Sequence, residues 1–246
     1  MKFAGVEKLL INLFLQQNYS VISFDCSFEC TENLKISFNI INRSSMKRYS
    51  YLALGDSYTI GEQVRINESF PYQTVYNLRK NGFQIAAPEI VATSGFTTDE
   101  LNTAIDKAML LNEYDFVSLL IGVNNQYRGR TVEEFAIEFE ALLKKAIQFA
   151  GDKSMAVFVL SIPDWGVTPY AEGRDIKKIS GEIDSYNNVC EFMATKYNTH
   201  FLNITSSQRQ DGYKDDFLAA DKLHPSGKEY SKWASLLTDK ILNIKA

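Results

Sequence analysis

From residue 49 onward the chain alternates short apolar runs with longer segments whose apolar residues recur every three or four positions. This alternation restricts the fold more than any other feature. The runs 115–121 and 155–162 are apolar almost throughout, as in strands buried on both faces. Three more segments of strand character lie at 49–54, 85–93 and 199–204. Pro88 interrupts the second of these and places it near a sheet edge. Strands separated by helices imply a parallel, helix-covered sheet, and five of them suit a three-layer α/β/α sandwich.

The helical segments carry their own boundary signals. Pro71 stands at a first-turn position, and Asn81-Gly82 closes that helix after Lys80. Thr97–Glu100 and Thr131–Glu134 have capping-box spacing. After the first box, Leu101, Ile105, Ala108 and Leu111 fall on one helix face. After the second, Phe135, Phe139, Leu142, Ala146 and Phe149 do the same. Further helices are expected over 175–196 and from Pro225 to about 244, with a polar loop at 206–221 between them.

Bulk properties exclude several functions. A 246-residue chain has room for one sizeable core. Its net charge of -4 disfavours a nucleic-acid partner. No apolar run approaches the ~20 residues of a membrane helix. The three cysteines, Cys26, Cys30 and Cys190, are too few for a disulfide framework and fit a reducing compartment. Cys26-x-x-x-Cys30 lacks a second ligand pair, so no metal is expected. Residues 1–45 read as an appendage to a domain spanning 46–246. Segment 9–15 makes a poor signal peptide, since Glu7 and Asn12 interrupt it and no small-x-small site follows. Met46 would itself serve as a start. These features lean toward a cytoplasmic location.

The chemistry-bearing residues fall where predicted strands end or just before the last helix. Ser57 follows the first strand in Gly55-Asp56-Ser57 and is a candidate nucleophile. Alone, this tripeptide is also a good turn. His224 can take the serine's proton and return it to a leaving group. Asp221, three residues earlier, can reach the second imidazole nitrogen through a turn. Pro225 would start a helix that steadies the ring. The backbone amides of Ser57 and Gly95 and the side-chain amide of Asn124 are candidate oxyanion donors. The other histidine, His200, has no motif around it and reads as structural.

With these residues in order, the chain resembles the SGNH (GDSL) hydrolase family of esterases and lipases. Ser57 lies in the first block, Gly95 in the second, Asn124 in the third and His224 in Asp-x-x-His. The resemblance spans about 49–246. It implies a flavodoxin-like sandwich with five parallel strands, and hydrolysis of carboxylic esters or thioesters through an acyl-serine without a cofactor. One position departs: the third block usually ends Asn-Asp and here reads Asn124-Asn125. That exchange bears on local hydrogen bonding more than on catalysis. The Gly-x-Ser-x-Gly elbow of α/β-hydrolases is absent, because Thr59 occupies its last position.

The expected substrate is a small or single-chain acyl ester, lysophospholipid-like or aryl. A carbohydrate O-deacetylase would use the same triad with a shorter pocket. A binding module on an inactive hydrolase fold would need a broken constellation. Asp56, Phe96, Asn125, Tyr127 and Trp165 are candidate substrate contacts, with Tyr170 as a further apolar wall. Arg128 and Arg130 read as a solvated face, with contact to an anionic head group as the alternative. Oligomeric state is open.

Overall fold

The structure is a computed structural model that describes residues 47–245 together with 25–26 and 36–37. The chain divides into two compact units, Met1–Lys47 and Arg48–Ala246. In the first, Asp25–Cys26 (β1) and Ile36–Ser37 (β2) pair antiparallel. Segment 9–15 and Met46, on which the appendage reading rested, lie outside the described residues.

The second unit is built on five parallel strands: Tyr51–Gly55 (β3), Glu89–Ala92 (β4), Phe116–Leu120 (β5), Val157–Leu160 (β6) and His200–Leu202 (β7). Their order across the sheet is β4-β3-β5-β6-β7, so the chain reverses direction across the sheet after β4. The carboxyl ends of β3 and β5 therefore flank the switch point, where such sheets form a crevice. The in-register pair Gly55↔Leu120 ends both strands at that crevice. The fold is the expected α/β three-layer arrangement.

The central strands explain their composition. All residues of β3, β5 and β6 are buried, because helices cover both sheet faces. Ser118 is the polar exception in β5, and its hydroxyl shares a 2.7 Å hydrogen bond with the Tyr51 hydroxyl on the neighbouring strand. Strand β4 is half-buried and lies at the edge, as Pro88 suggested. It is shorter than the 85–93 run: before Pro88, Ile85 makes only a single bridge to Tyr49.

Helices α2 (Phe70–Lys80) and α8 (Gly227–Lys245) pack against each other. Helices α3 (Thr98–Lys107), α5 (Val132–Phe149) and α6 (Ile176–Lys196) pack in a second row. Trp233 seals the first pair, its ring lying against Phe70, Tyr58 and Tyr230. Full burial of such a side chain contributes roughly 1.5–3 kcal/mol. The first capping signal works as read, the Thr97 amide donating to the Glu100 carboxylate at 2.9 Å; at the second only half of the box forms, with the Glu134 amide donating to Thr131 Oγ1 at 3.2 Å.

Some boundaries differ from expectation. Helix α3 ends at Lys107, so Ala108 lies past it and Leu111 is exposed. Three short helices were not foreseen: α1 (Ser57–Ile60), α4 (Val123–Tyr127) and α7 (Thr205–Asp211). The last opens the stretch expected to be a polar loop. Each is a one- or two-turn segment, too short to show periodicity.

Candidate active site

Ser57 sits at the first position of α1, immediately beyond β3. The turn tolerates no side chain at Gly55: a Cβ there would stand 2.0 Å from Thr59 Oγ1 and 2.5 Å from the Leu120 carbonyl. Asp56 caps α1, its carboxylate accepting the Tyr58 amide at 3.0 Å. Its other oxygen, Oδ2, is buried and has no protein partner. Burial pushes this carboxyl up to about 7, against the pull of backbone amides.

His224 reaches the serine from the other end of the chain. His224 Nε2 lies 3.0 Å from Ser57 Oγ, and Nδ1 lies 2.6 Å from Asp221 Oδ2. Asp221 Oδ1 also accepts the amides of Leu223 and His224, each at 3.0 Å. Partial burial raises the Asp221 carboxyl, but bonds from the His224 ring and from these two amides outweigh it and hold it below its ordinary value.

Pro225 does not begin a helix. It bridges Leu218, while the Ala219 amide donates to the His224 carbonyl at 2.8 Å, and α8 starts only at Gly227. A small hairpin, rather than a helix end, therefore presents the imidazole. The Tyr58 ring packs on it with centroids 5.0 Å apart.

Gly95 and Asn124 complete the floor. Gly95 adopts φ of 82°, which favours glycine. Its carbonyl accepts from Arg128 Nη2 at 2.7 Å, and Arg128 also pairs with Glu100 at 3.3 Å. Arg128 thus braces the glycine turn instead of merely facing solvent. Arg130 is held by Asp99 at 2.7 Å. Asn124 Nδ2 donates one hydrogen to the Phe96 carbonyl at 2.9 Å, which aims its amide and leaves its second hydrogen for another acceptor.

These groups open on a cavity of about 300 Å³. Ser57, Gly95, Asn124, Asp221 and His224 line it, with Tyr127, Trp165 and Tyr170 as an aromatic wall. Trp165 is fixed by its indole N–H donating to Gln126 Oε1 at 2.8 Å. Asp56, Phe96 and Asn125 are not on the cavity surface. Asp56 faces inward as a cap, and Phe96 contributes its carbonyl to Asn124. Asn125 is buried, accepting the Thr98 amide at 3.1 Å and donating to Thr98 Oγ1 at 2.6 Å. An amide serves this two-way contact where an ionised carboxylate could only accept. Glu62, Gln63, Ser94 and Leu223 line the cavity without having been singled out, because nothing in their local sequence marks them. His200 lies away from the cavity at the start of β7, its ring stacked on Phe158 with centroids 5.2 Å apart.

A serine, imidazole and carboxylate in hydrogen-bonded series at the carboxyl edge of a parallel sheet define a serine-hydrolase architecture. Residues 53–231 match the profile of the GDSL-like Lipase/Acylhydrolase family, and the chain belongs to that family. It is a carboxylic ester hydrolase. No curated protein matches the chain. Among solved structures, it is similar to a lipase/acylhydrolase from Enterococcus faecalis, at 21% identity and a TM-score of 0.62, covering 78% of this chain and 95% of that one. The acetylxylan esterase Axe2 from Geobacillus stearothermophilus shares 19% identity with a TM-score of 0.63, over 78% and 94%. The psychrotrophic esterase EstA from Pseudoalteromonas sp. shares 19% identity with a TM-score of 0.60, over 79% and 97%.

Proposed function

We propose that Ser57 is the nucleophile of a serine esterase acting on small or single-chain acyl esters. The observation that carries this reading is the 3.0 Å contact between Ser57 Oγ and His224 Nε2, backed by Asp221 at 2.6 Å. His224 takes the hydroxyl proton as Oγ attacks the ester carbonyl carbon. The oxyanion is received by the amides of Ser57 and Gly95 and by the second hydrogen of Asn124 Nδ2. Collapse breaks the bond to the alcohol, which leaves with the proton from His224. Water, deprotonated by the same imidazole, then releases the acid from the acyl-serine. Asp221 holds the tautomer that makes Nε2 the accepting nitrogen.

A carbohydrate O-deacetylase is the second reading. Two structures similar to this chain are described as acetylxylan esterases, with TM-scores of 0.63 and 0.61. An acetyl-limited pocket would serve that reaction with the same triad. The intact contact between His224 and Ser57 argues against an inactive binding module.

Hydrolysis of p-nitrophenyl esters from acetate to long chains tests these readings. Wild type should turn over short chains, and Ser57→Ala should lose at least ~1,000-fold. A profile confined to acetate favours the deacetylase. Full activity in Ser57→Ala would remove Ser57 as nucleophile.

A further inference from the structure

A cation is mounted on the aromatic wall of the cavity, although it is not itself a lining residue. The Arg174 guanidinium stands over three rings at once, with its carbon 5.3 Å from the Tyr127 centroid, 5.2 Å from Trp165 and 5.4 Å from Tyr170. Those three rings line the same cavity as Ser57 and His224. The rings also brace one another, with Tyr127 and Tyr170 each edge-on to Trp165. Arg174 is exposed, and its contacts with the three rings restrict the long side chain, so part of its rotamer freedom is already lost before a ligand binds.

Beyond the rings, no acidic side chain among the described residues meets its charge. Arg128, Arg130 and Arg209 all pair with carboxylates. No carboxylate pairs with Arg174 among the described residues, although the chain has 30 acidic side chains. Of its five N–H donors, one contact is to the Tyr127 hydroxyl, at 3.3 Å. A planar, pre-oriented guanidinium with unused donors matches a carboxylate or phosphate.

The topology gives the side of the substrate it serves. Strand order puts the ends of β4, β3, β5 and β6 in sequence along the crevice. Glu62 is bonded to Ser94 beyond β4, whereas the rings bearing Arg174 follow β5 and β6. Glu62 thus lies toward one end of the cavity, and the rings that carry Arg174 lie toward the other. At ~4.8 Å per strand, the end of β6 lies on the order of 10 Å from that of β3. The Tyr170 amide donates to the Lys222 carbonyl at 3.3 Å, tying the ring cluster to the turn that carries His224. His224 protonates the departing alcohol, so the cation stands on the leaving-group side.

We propose that Arg174, mounted on Tyr127, Trp165 and Tyr170, is the anion-recognition subsite of this enzyme, and that its substrates are acyl esters of alcohols bearing a carboxylate or phosphate. The inference rests on the esterase reading above. It assigns Arg174 to specificity, not to bond cleavage.

The test compares 3-acetoxybenzoate with its neutral isostere 3-acetoxybenzamide, with 3-acetoxyphenyl phosphate, and with the cationic 3-acetoxy-N,N,N-trimethylanilinium ester. Arg174→Met should lower kcat/KM for the carboxylate or the phosphate ester about tenfold more than for the amide, mainly through KM. Arg174→Lys should restore part of that loss. Whichever anion shows the larger differential identifies the headgroup. Equal losses on all four esters would make Arg174 a structural part of the wall and overturn the proposal. So would a wild-type preference for the cationic ester, which would mean that the rings receive a substrate cation instead. Calorimetric titration of Ser57→Ala with 3-hydroxybenzoate, 3-hydroxyphenyl phosphate and 3-hydroxybenzamide separates this inference from the esterase reading. Tighter binding of either anion, lost on adding Arg174→Met, supports the subsite even if no ester is hydrolysed; equal binding of all three removes it while the esterase reading stands.

Discussion

At the floor of the cavity Ser57 and Asp221 are held by the backbone, whereas on the aromatic wall the side chains are held largely by one another. Asp221 accepts two amides of its own turn besides the imidazole, and Ser57 is placed by the junction of β3 with α1. His224 is only 8% exposed. Across the cavity, Tyr127 is 46% and Tyr170 41% exposed, and only Trp165 is buried. The contrast follows from what each region must do. On the proposed mechanism, proton transfer between Ser57 and His224 tolerates little positional error, while the wall would meet only parts of the substrate that do not react.

Substitutions on the floor should therefore lower kcat, and those on the wall should raise KM. The sharpest case after Ser57→Ala is Asp221→Asn. The amide can still accept the Leu223 and His224 backbone bonds, but it no longer selects the imidazole tautomer. A fall in kcat of up to ~10,000-fold with little change in melting temperature is expected. A loss confined to KM would erase the distinction between floor and wall. Asn124→Ala should cost ~100-fold in kcat through the oxyanion. A loss below about tenfold would mean that the amides of Ser57 and Gly95 suffice.

The smallest effect on turnover, and the clearest effect on stability, belongs to Asp56. Burial raises its carboxyl from 3.8 to about 7, so the folded chain holds that proton more tightly than the unfolded one. Between these values the folded state binds more protons, and this group's contribution to stability falls as pH rises from about 4 to 7. Asp56→Asn keeps an acceptor for the Tyr58 amide and removes the titration. Urea unfolding should show the variant gaining on wild type between pH 5 and pH 8. An unchanged difference would mean that Asp56 is ionised at no cost.

Much of the floor was legible in the chain. Ser57 follows a strand-ending glycine, and Asp221-x-x-His224 is a local turn, so short-range spacing carries both. The role of Asn125 was not legible. Its partner is Thr98, 27 residues away, and only that hydroxyl and amide together explain why an amide stands there. The bracing role of Arg128 is hidden for the same reason, since the carbonyl it bonds lies 33 residues away in the turn at Gly95. Pro225 suits a helix start as well as the hairpin under His224, so the local sequence does not separate the two.

The sequence by itself determined the layers and the parallel sheet, and its motif blocks pointed to the family and to Ser57, Asp221 and His224 as the proposed triad. Apolar period and turn chemistry are local properties and suffice for the layers and the sheet, whereas the family rests on the resemblance of the four motif blocks. Only the tertiary structure decided that β3 and β5 lie side by side, that Tyr58 packs on the His224 ring, and that Tyr127, Trp165 and Tyr170 converge on Arg174. The strand neighbours follow from where the chain reverses across the sheet. The ring cluster follows from loops after two adjacent strands meeting above it, an encounter that no residue spacing encodes.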